Sequence, residues 1–366
     1  MFGKKGKGGL DEAQIRAALG GLKDPVDDTP LDQRLESVKS EHALQLQLVF
    51  PSTAWEGRAA SEVAIRKALE EAGETRDIRL DVRGDVKPAR PQGTAQSLVP
   101  GAKNVLLFAS GKGGVGKSTV ATNVAAALAR TGAQVGLLDA DIYGPSVPTM
   151  FGVTERPEVV GQKLKPVQKH GLALMSIGLI VEPSQAMSWR GPMLNGALTQ
   201  FMRDVDWGEL DYLVLDMPPG TGDVQLTIAQ NLKVAGAVLV STPQDVALAD
   251  VIRGKAMFDK VDVPVLGVVE NMAWFVCGDC GAKHYIFSKG GANRLASEIG
   301  VPLLGEIPLE QSTREAGDAG VPEVIAHPES GVAQAFDKLA HRVATELAVS
   351  AAKQSVKPGR GLKIIQ

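Results

Sequence analysis

The chain has 366 residues, with 39 Lys+Arg against 42 Asp+Glu, a formal charge of −3. With 44% apolar and 22% charged residues, both signs mixed, it can bury a sizeable core, which excludes wholesale disorder. Near-neutral charge and 4% aromatics also argue against a nucleic-acid binder, which needs a positive surface and stacking rings.

No apolar run approaches the ~18 to 20 residues of a membrane span. The opening MFGKKGKGG leads into Leu10-Asp11-Glu12 with no apolar stretch of a signal peptide, so residues 1–9 read as a flexible basic start and the expected location is the cytoplasm, without membrane contact. Only two cysteines occur, Cys277 and Cys280, so no disulfide framework exists and a reducing compartment fits.

A helix is predicted from Asp11 to about Leu22. Leu44, Leu46, Leu48 and Phe50 alternate with polar positions as a half-buried strand does, and Ile78, Leu80 and Val82 repeat that alternation. Between them Ile65, Ala68, Leu69 and Ala72 share one helical face, stopped by Gly73. Residues 10–82 therefore read as a small α+β accessory domain. Residues 83–103, with Pro88, Pro91 and Pro100 and no apolar period, read as a linker.

From residue 104 to 350 the texture changes to apolar runs separated by helical stretches: Val105 to Ala109, Val135 to Leu138, Leu172 to Ile177, Tyr212 to Leu215, Ala237 to Val240, Val265 to Val269 and Pro302 to Leu304. Runs apolar on both faces at crossover spacing predict a mainly parallel sheet covered by helices on both sides, an α/β fold with ligands at the carboxyl ends of the strands. Residues 351–366 form a basic tail.

Directly after the first of these runs stands Gly111-Lys112-Gly113-Gly114-Val115-Gly116-Lys117-Ser118-Thr119, which contains G-x-x-x-x-G-K-[ST] and precedes a helix predicted from Lys117 to Arg130. Glycines let backbone N–H groups curl around phosphate oxygens, and the helix aims its positive end at them. Lys117 would reach the β- and γ-phosphates and Ser118 would hold Mg²⁺. Asp139 ends the second strand, with Asp141 just beyond, and Asp216 ends the fourth. Asp216 suits a Mg²⁺ contact, although aspartates at strand ends also serve as helix N-caps. Gly220 could lend an N–H to the γ-phosphate. No N-K-x-D guanine motif is present, which favours ATP. No H-E-x-x-H or G-x-S-x-G occurs, which sets aside zincin and serine-hydrolase chemistry.

The loop GKGGVGKST, with its additional Lys112, resembles the deviant Walker A of the MinD/ParA/nitrogenase iron protein class of P-loop NTPases. Together with LLDADIYGPSVPTMFG, LDMPPGTGD and NMAWFVCGDCG it resembles the Mrp/ApbC family of iron–sulfur cluster carrier ATPases over about residues 103 to 350. The resemblance implies that Lys112 reaches phosphates across a homodimer interface, Asp141 orients the attacking water, and Asn271 contacts adenine beside the Pro243 loop.

Cys277-Gly278-Asp279-Cys280 puts two thiols in a glycine-rich loop where both can face one metal. Two ligands complete no tetrahedral site, and a second copy would supply two more. On the motif alone a four-iron cluster, a Cys₄ zinc with His284 as an extra ligand, and redox or structural thiols all remain open. The resemblance implies a labile bridging [4Fe–4S] cluster, handed on to apo iron–sulfur proteins, with cluster assembly factors as further partners.

The first domain resembles the MIP18-like domain fused to such ATPases, through Leu22-Lys23-Asp24-Pro25, but has no cysteine after Leu48. Docking or a structural role is expected of it. The reading is an ATP-dependent cluster carrier or scaffold. The alternative is a ParA/MinD-type positioning switch with a structural zinc.

Overall fold

The computed structural model describes residues 9–40, 42–90, 98–181 and 191–355. In the small domain Asp11 caps α1 (Glu12–Gly20), and Gln14 reciprocates to the Asp11 N–H. Strand β1 (Leu35–Ser40) runs antiparallel to β2 (Leu44–Phe50), which pairs in parallel with β3 (Ile78–Gly84). Helix α2 (Arg58–Glu71) buries Ile65 and Leu69 over this sheet, as its apolar spacing predicts. Strand β1 is new: Leu35-Glu36-Ser37-Val38-Lys39-Ser40 is mostly polar because only Leu35 is fully buried in this edge strand.

The large domain is built on a nine-stranded sheet. Its parallel strands are β4 (Ala102–Ala109), β5 (Val135–Asp139), β9 (Leu172–Ser176), β10 (Leu210–Asp216), β11 (Val234–Ser241), β12 (Val265–Val276) and β14 (Leu303–Leu309), in the spatial order β14-β12-β11-β4-β10-β5-β9. Strands β8 (Val167–Lys169) and β13 (Lys283–His284) join it antiparallel, and β6 (Val159–Val160) pairs with β7 (Lys163–Leu164) in a separate hairpin. The strand period of two divides the core. Leu106 and Phe108 of β4 face α3 (Lys117–Arg130) and the C-terminal helix Gly331–Ser355, while Val105 and Leu107 face the helices of the other layer. The sheet order turns back at β4, and the loop after β4 opens at that switch point.

Residues 83–90 and 98–103 of the expected linker are packed into the fold, and residues 91–97 lie outside the described residues. Arg83 and Gly84 finish β3, Ala102 and Lys103 begin β4, and Val86 and Ala89 are buried in the core of the large domain. The Asn104 side chain accepts from Ala89 N–H at 2.8 Å and donates to the Lys87 carbonyl at 3.0 Å, so the segment is pinned without any apolar period. The domains share more than a chain. Ala54 packs in the large core and Ala348 in the small one, Thr131 bonds Thr53 at 2.9 Å, and Arg342 pairs with Glu56 at 3.1 Å. The C-terminal helix also runs past residue 350, to Ser355. The rest of the expected tail, the basic start up to residue 8 and Pro91 lie outside the described residues. Among the described residues no helix is long and apolar enough to cross a membrane.

Candidate functional site: a phosphate loop and a thiol hairpin

The phosphate loop lies between β4 and α3, as its sequence context requires. Gly114 and Gly116 have φ of +81° and +78°, and a Cβ on Gly116 would stand 2.2 Å from Asn271 Nδ2. Glycine is therefore needed at 116 for both conformation and space. Gly111 is crowded in the same way by Asp250, whereas Gly113 faces open space. Asn271 Nδ2 donates to the Val115 carbonyl at 2.9 Å, bracing the loop against β12.

Lys117, at the start of α3, is buried and reaches Asp216 Oδ1 at 2.5 Å and Ser118 Oγ at 3.2 Å. Asp216 Oδ2 is buried with no hydrogen-bond partner. A hydroxyl and a carboxylate oxygen with unused acceptor capacity beside a phosphate loop are the hard donors Mg²⁺ takes, so Ser118 and Asp216 fit that ion. Burial pushes the Asp216 carboxyl upward in pKa while Lys117 pulls it down.

Asp216, Asp139 and Ser176 are register partners across three adjacent strands. Burial, followed by the nearby Asp216 charge, pushes Asp139 up to about 7. Asp139 does not contribute a free carboxylate: it accepts from Asp141 N–H, Val147 N–H and the Ser176 hydroxyl. Asp141 itself is half-buried at the rim, accepting from Gly144 N–H at 3.3 Å. Lys112 is exposed, and its carbonyl accepts from Ser110 Oγ at 3.0 Å. Gly220 donates its N–H to the Ser110 carbonyl at 2.8 Å, which ties the turn after β10 to the phosphate loop.

From Gly116, Thr119 and Asn271 a cleft of about 410 Å³ runs between α3 and the end of β14, past Pro308, Glu310 and Phe336. Its size and mixed polar and apolar walls suit a nucleoside. Pro243 is buried beyond β11 and does not line the cleft, whose wall beside Asn271 comes from the turn after β14. Sequence reasoning missed that turn and Ser176, because neither carries a motif; only topology brings them to the site.

Strand β12 runs on from Asn271 to Val276 and ends in the thiol pair. Cys277 N–H donates to the Ala282 carbonyl and Gly281 N–H to the Cys277 carbonyl, both at 2.9 Å, closing a hairpin with β13. Cys277 is half-buried and Cys280 exposed at the tip. Backbone N–H groups of Cys280 and Asp279, with the Cys280 thiol, hold the Cys277 thiol below its usual pKa, which favours the thiolate. Among the described residues no three of His, Cys, Asp and Glu are grouped to hold a metal, so His284 adds no third ligand. Val276, Tyr285, Ile286 and Phe287 leave an apolar skirt beside the thiols.

A relative from Deinococcus radiodurans named "Iron-sulfur cluster carrier protein" is 47% identical over 93% of this chain and 96% of its own length. A solved nucleotide-binding protein from Archaeoglobus fulgidus in complex with ADP is 39% identical, with a TM-score of 0.57 over 65% of this chain and 93% of that one. The cell division ATPase MinD of Pyrococcus furiosus, 24% identical, shares the fold with a TM-score of 0.51 over 66% of this chain and 98% of its own. The family model described as ParA, NUBPL iron-transfer P-loop NTPase, matches residues 101–344, and on these matches the chain belongs to that family of P-loop ATPases.

Proposed function

We propose that the chain is an ATP-hydrolysing iron–sulfur cluster carrier, which holds a [4Fe–4S] cluster as cargo between two copies and passes it to apoproteins. The observation that carries this reading is the exposed Cys277/Cys280 hairpin, which offers two thiolates and no third ligand among the described residues, in a chain similar to a named cluster carrier. Four thiolates from two copies satisfy one cubane, and a site shared between subunits releases its cargo without unfolding either chain.

Each nucleotide-site residue has a distinct part. Lys117 turns from Asp216 to the phosphates and neutralises developing charge, Ser118 and Asp216 hold Mg²⁺, and the glycine loop with Lys112 of the second copy surrounds the γ-phosphate. When bound, Mg²⁺ would be held by Ser118 and Asp216 and would neutralise phosphate charge. Asp141 orients the attacking water. The cleft past Asn271 takes the nucleoside, with the turn after β14 in the place the sequence gives to Pro243.

Anaerobic reconstitution tests the carrier reading. The protein should bind about four irons per dimer, with a broad absorption near ~400 nm, and Cys277→Ser or Cys280→Ser should remove both while leaving ATP binding intact. One tightly held zinc per dimer with no bound iron would overturn the reading.

A further inference from the structure

The loop that carries Asp141 is attached to the fold at two places, Asp139 at the end of β5 and Gly178 just beyond the end of β9. Asp139 is the first attachment. Its Oδ1 accepts from Asp141 N–H at 3.1 Å, and its Oδ2 accepts from Val147 N–H and from the Ser176 hydroxyl, each at 3.2 Å. One carboxylate therefore bonds the loop's two ends, and Ser176 fixes that carboxylate from the far side. Ser176 is wholly buried and its hydrogen bonding is balanced: the hydroxyl proton goes to Asp139, and Oγ accepts from Gly178 N–H at 3.1 Å.

Gly178 is the second attachment. A Cβ built on it would stand 2.6 Å from Cγ and 2.7 Å from Cβ of Pro145, within the same loop, and its φ is not in the left-handed region. The glycine is thus required for space, not for backbone conformation. The ring of Pro145 rests directly on the backbone of the short 3₁₀ turn Ile177–Leu179.

We infer that Ser176 and Gly178 are positioning residues for ATP hydrolysis, a platform at the end of β9 that sets where the Asp141 carboxylate stands relative to the γ-phosphate. The inference rests on the reading of Asp141 as the group that orients water. Neither Ser176 nor Gly178 lines the nucleoside cleft itself, although Pro145 and Ser146 of the loop do, so the platform acts on the chemical step more than on nucleotide binding. Misplacing a water-orienting carboxylate by a fraction of an ångström affects only the transition state.

Four variants of the full-length protein test this, each assayed for kcat and for Mg-ADP affinity. Ser176→Ala and Gly178→Ala should each lower kcat about tenfold; Ser176→Ala should leave Mg-ADP affinity within about twofold of the parent, since ADP makes no demand on Asp141, and Gly178→Ala, which presses on Pro145 at the cleft wall, should weaken it by less than it lowers kcat. Ser176→Thr, which keeps the hydroxyl, should recover most of the Ser176→Ala loss. Asp141→Ala should remove hydrolysis and keep ADP binding. If Asp141→Ala is inactive while Ser176→Ala and Gly178→Ala both turn over at the parent rate, the platform is wrong and the Asp141 reading stands. If kcat and ADP affinity fall by the same factor, the residues serve the fold generally and the inference fails. Parent-like turnover in Asp141→Ala would overturn the Asp141 reading and the platform together.

Discussion

Lys117 Nζ lies 2.5 Å from Asp216 Oδ1, and both side chains are buried. Lys117 is the cation paired with Asp216, which faces the buried Asp139 in register across β10 and β5. Its removal leaves buried negative charge uncompensated as well as the phosphates unclamped. Lys117→Ala should lower ATP turnover at least ~100-fold. It should also lower the unfolding free energy by roughly 3 kcal/mol. Steady-state phosphate release and urea denaturation measure the two effects, and normal turnover would refute the assignment.

Asn271 should behave differently. Its amide donates to the Val115 carbonyl and borders the nucleoside cleft, so Asn271→Ala loosens the loop without touching the reacting phosphate. Nucleotide affinity should weaken about tenfold, near 1.4 kcal/mol, with a smaller effect on kcat. Titration calorimetry with Mg-ADP reads the first, and an effect confined to kcat would contradict the bracing role.

The seam between domains gives a stability prediction. Asn104→Ala leaves Ala89 N–H and the Lys87 carbonyl without their side-chain partner beneath a buried segment, and should cost about 1–3 kcal/mol. Thermal unfolding should shift downward while ADP affinity stays at the parent value. An unchanged midpoint would restore the view of this stretch as a spacer.

Glu74 supplies a pH dependence. The Arg76 guanidinium, with the N–H groups of Arg76, Leu10 and Thr75, lowers its pKa from 4.5 to about 2, although burial opposes the shift. The folded value is below the unfolded one, so the contribution is complete above about pH 4.5 and disappears as pH falls towards 2. Glu74→Gln should destabilise the small domain by roughly 2 kcal/mol at pH 7 and by progressively less below pH ~4.5. Denaturation across that range checks the convergence; a constant difference would show that the loss is steric.

The parts most legible in the sequence were those in which local chemistry and long-range packing agree. β2 follows the alternation from Leu44 to Phe50, and α3 begins at the lysine that the phosphate loop dictates. β12 and β14 extend beyond their apolar runs because their later residues, Glu270 and Glu306 among them, go on pairing with each other. The packing of residues 83–90 was hidden because Ala89 N–H and the Lys87 carbonyl are held by one amide from Asn104, which no periodicity reports. Among site residues, Lys117, Ser118 and Asp216 were identifiable by motif. Ser176 is an ordinary strand-end serine until β9 is laid beside β5, and Pro308 of β14, unlike Pro243, lines the cleft because β14 pairs with β12.

Strand β12 joins Asn271, which braces the phosphate loop, to Cys277, which begins the thiol turn, with Met272 at φ +56° between them. Fuel and cargo are thus fastened to one continuous peptide, on either side of a kink. Thermodynamic reciprocity then fixes an equality: the factor by which nucleotide changes the grip on the cluster is the factor by which the cluster changes the grip on nucleotide. An ADP titration performed with and without loaded thiols therefore measures how far nucleotide shifts cluster affinity, with no acceptor protein in the tube.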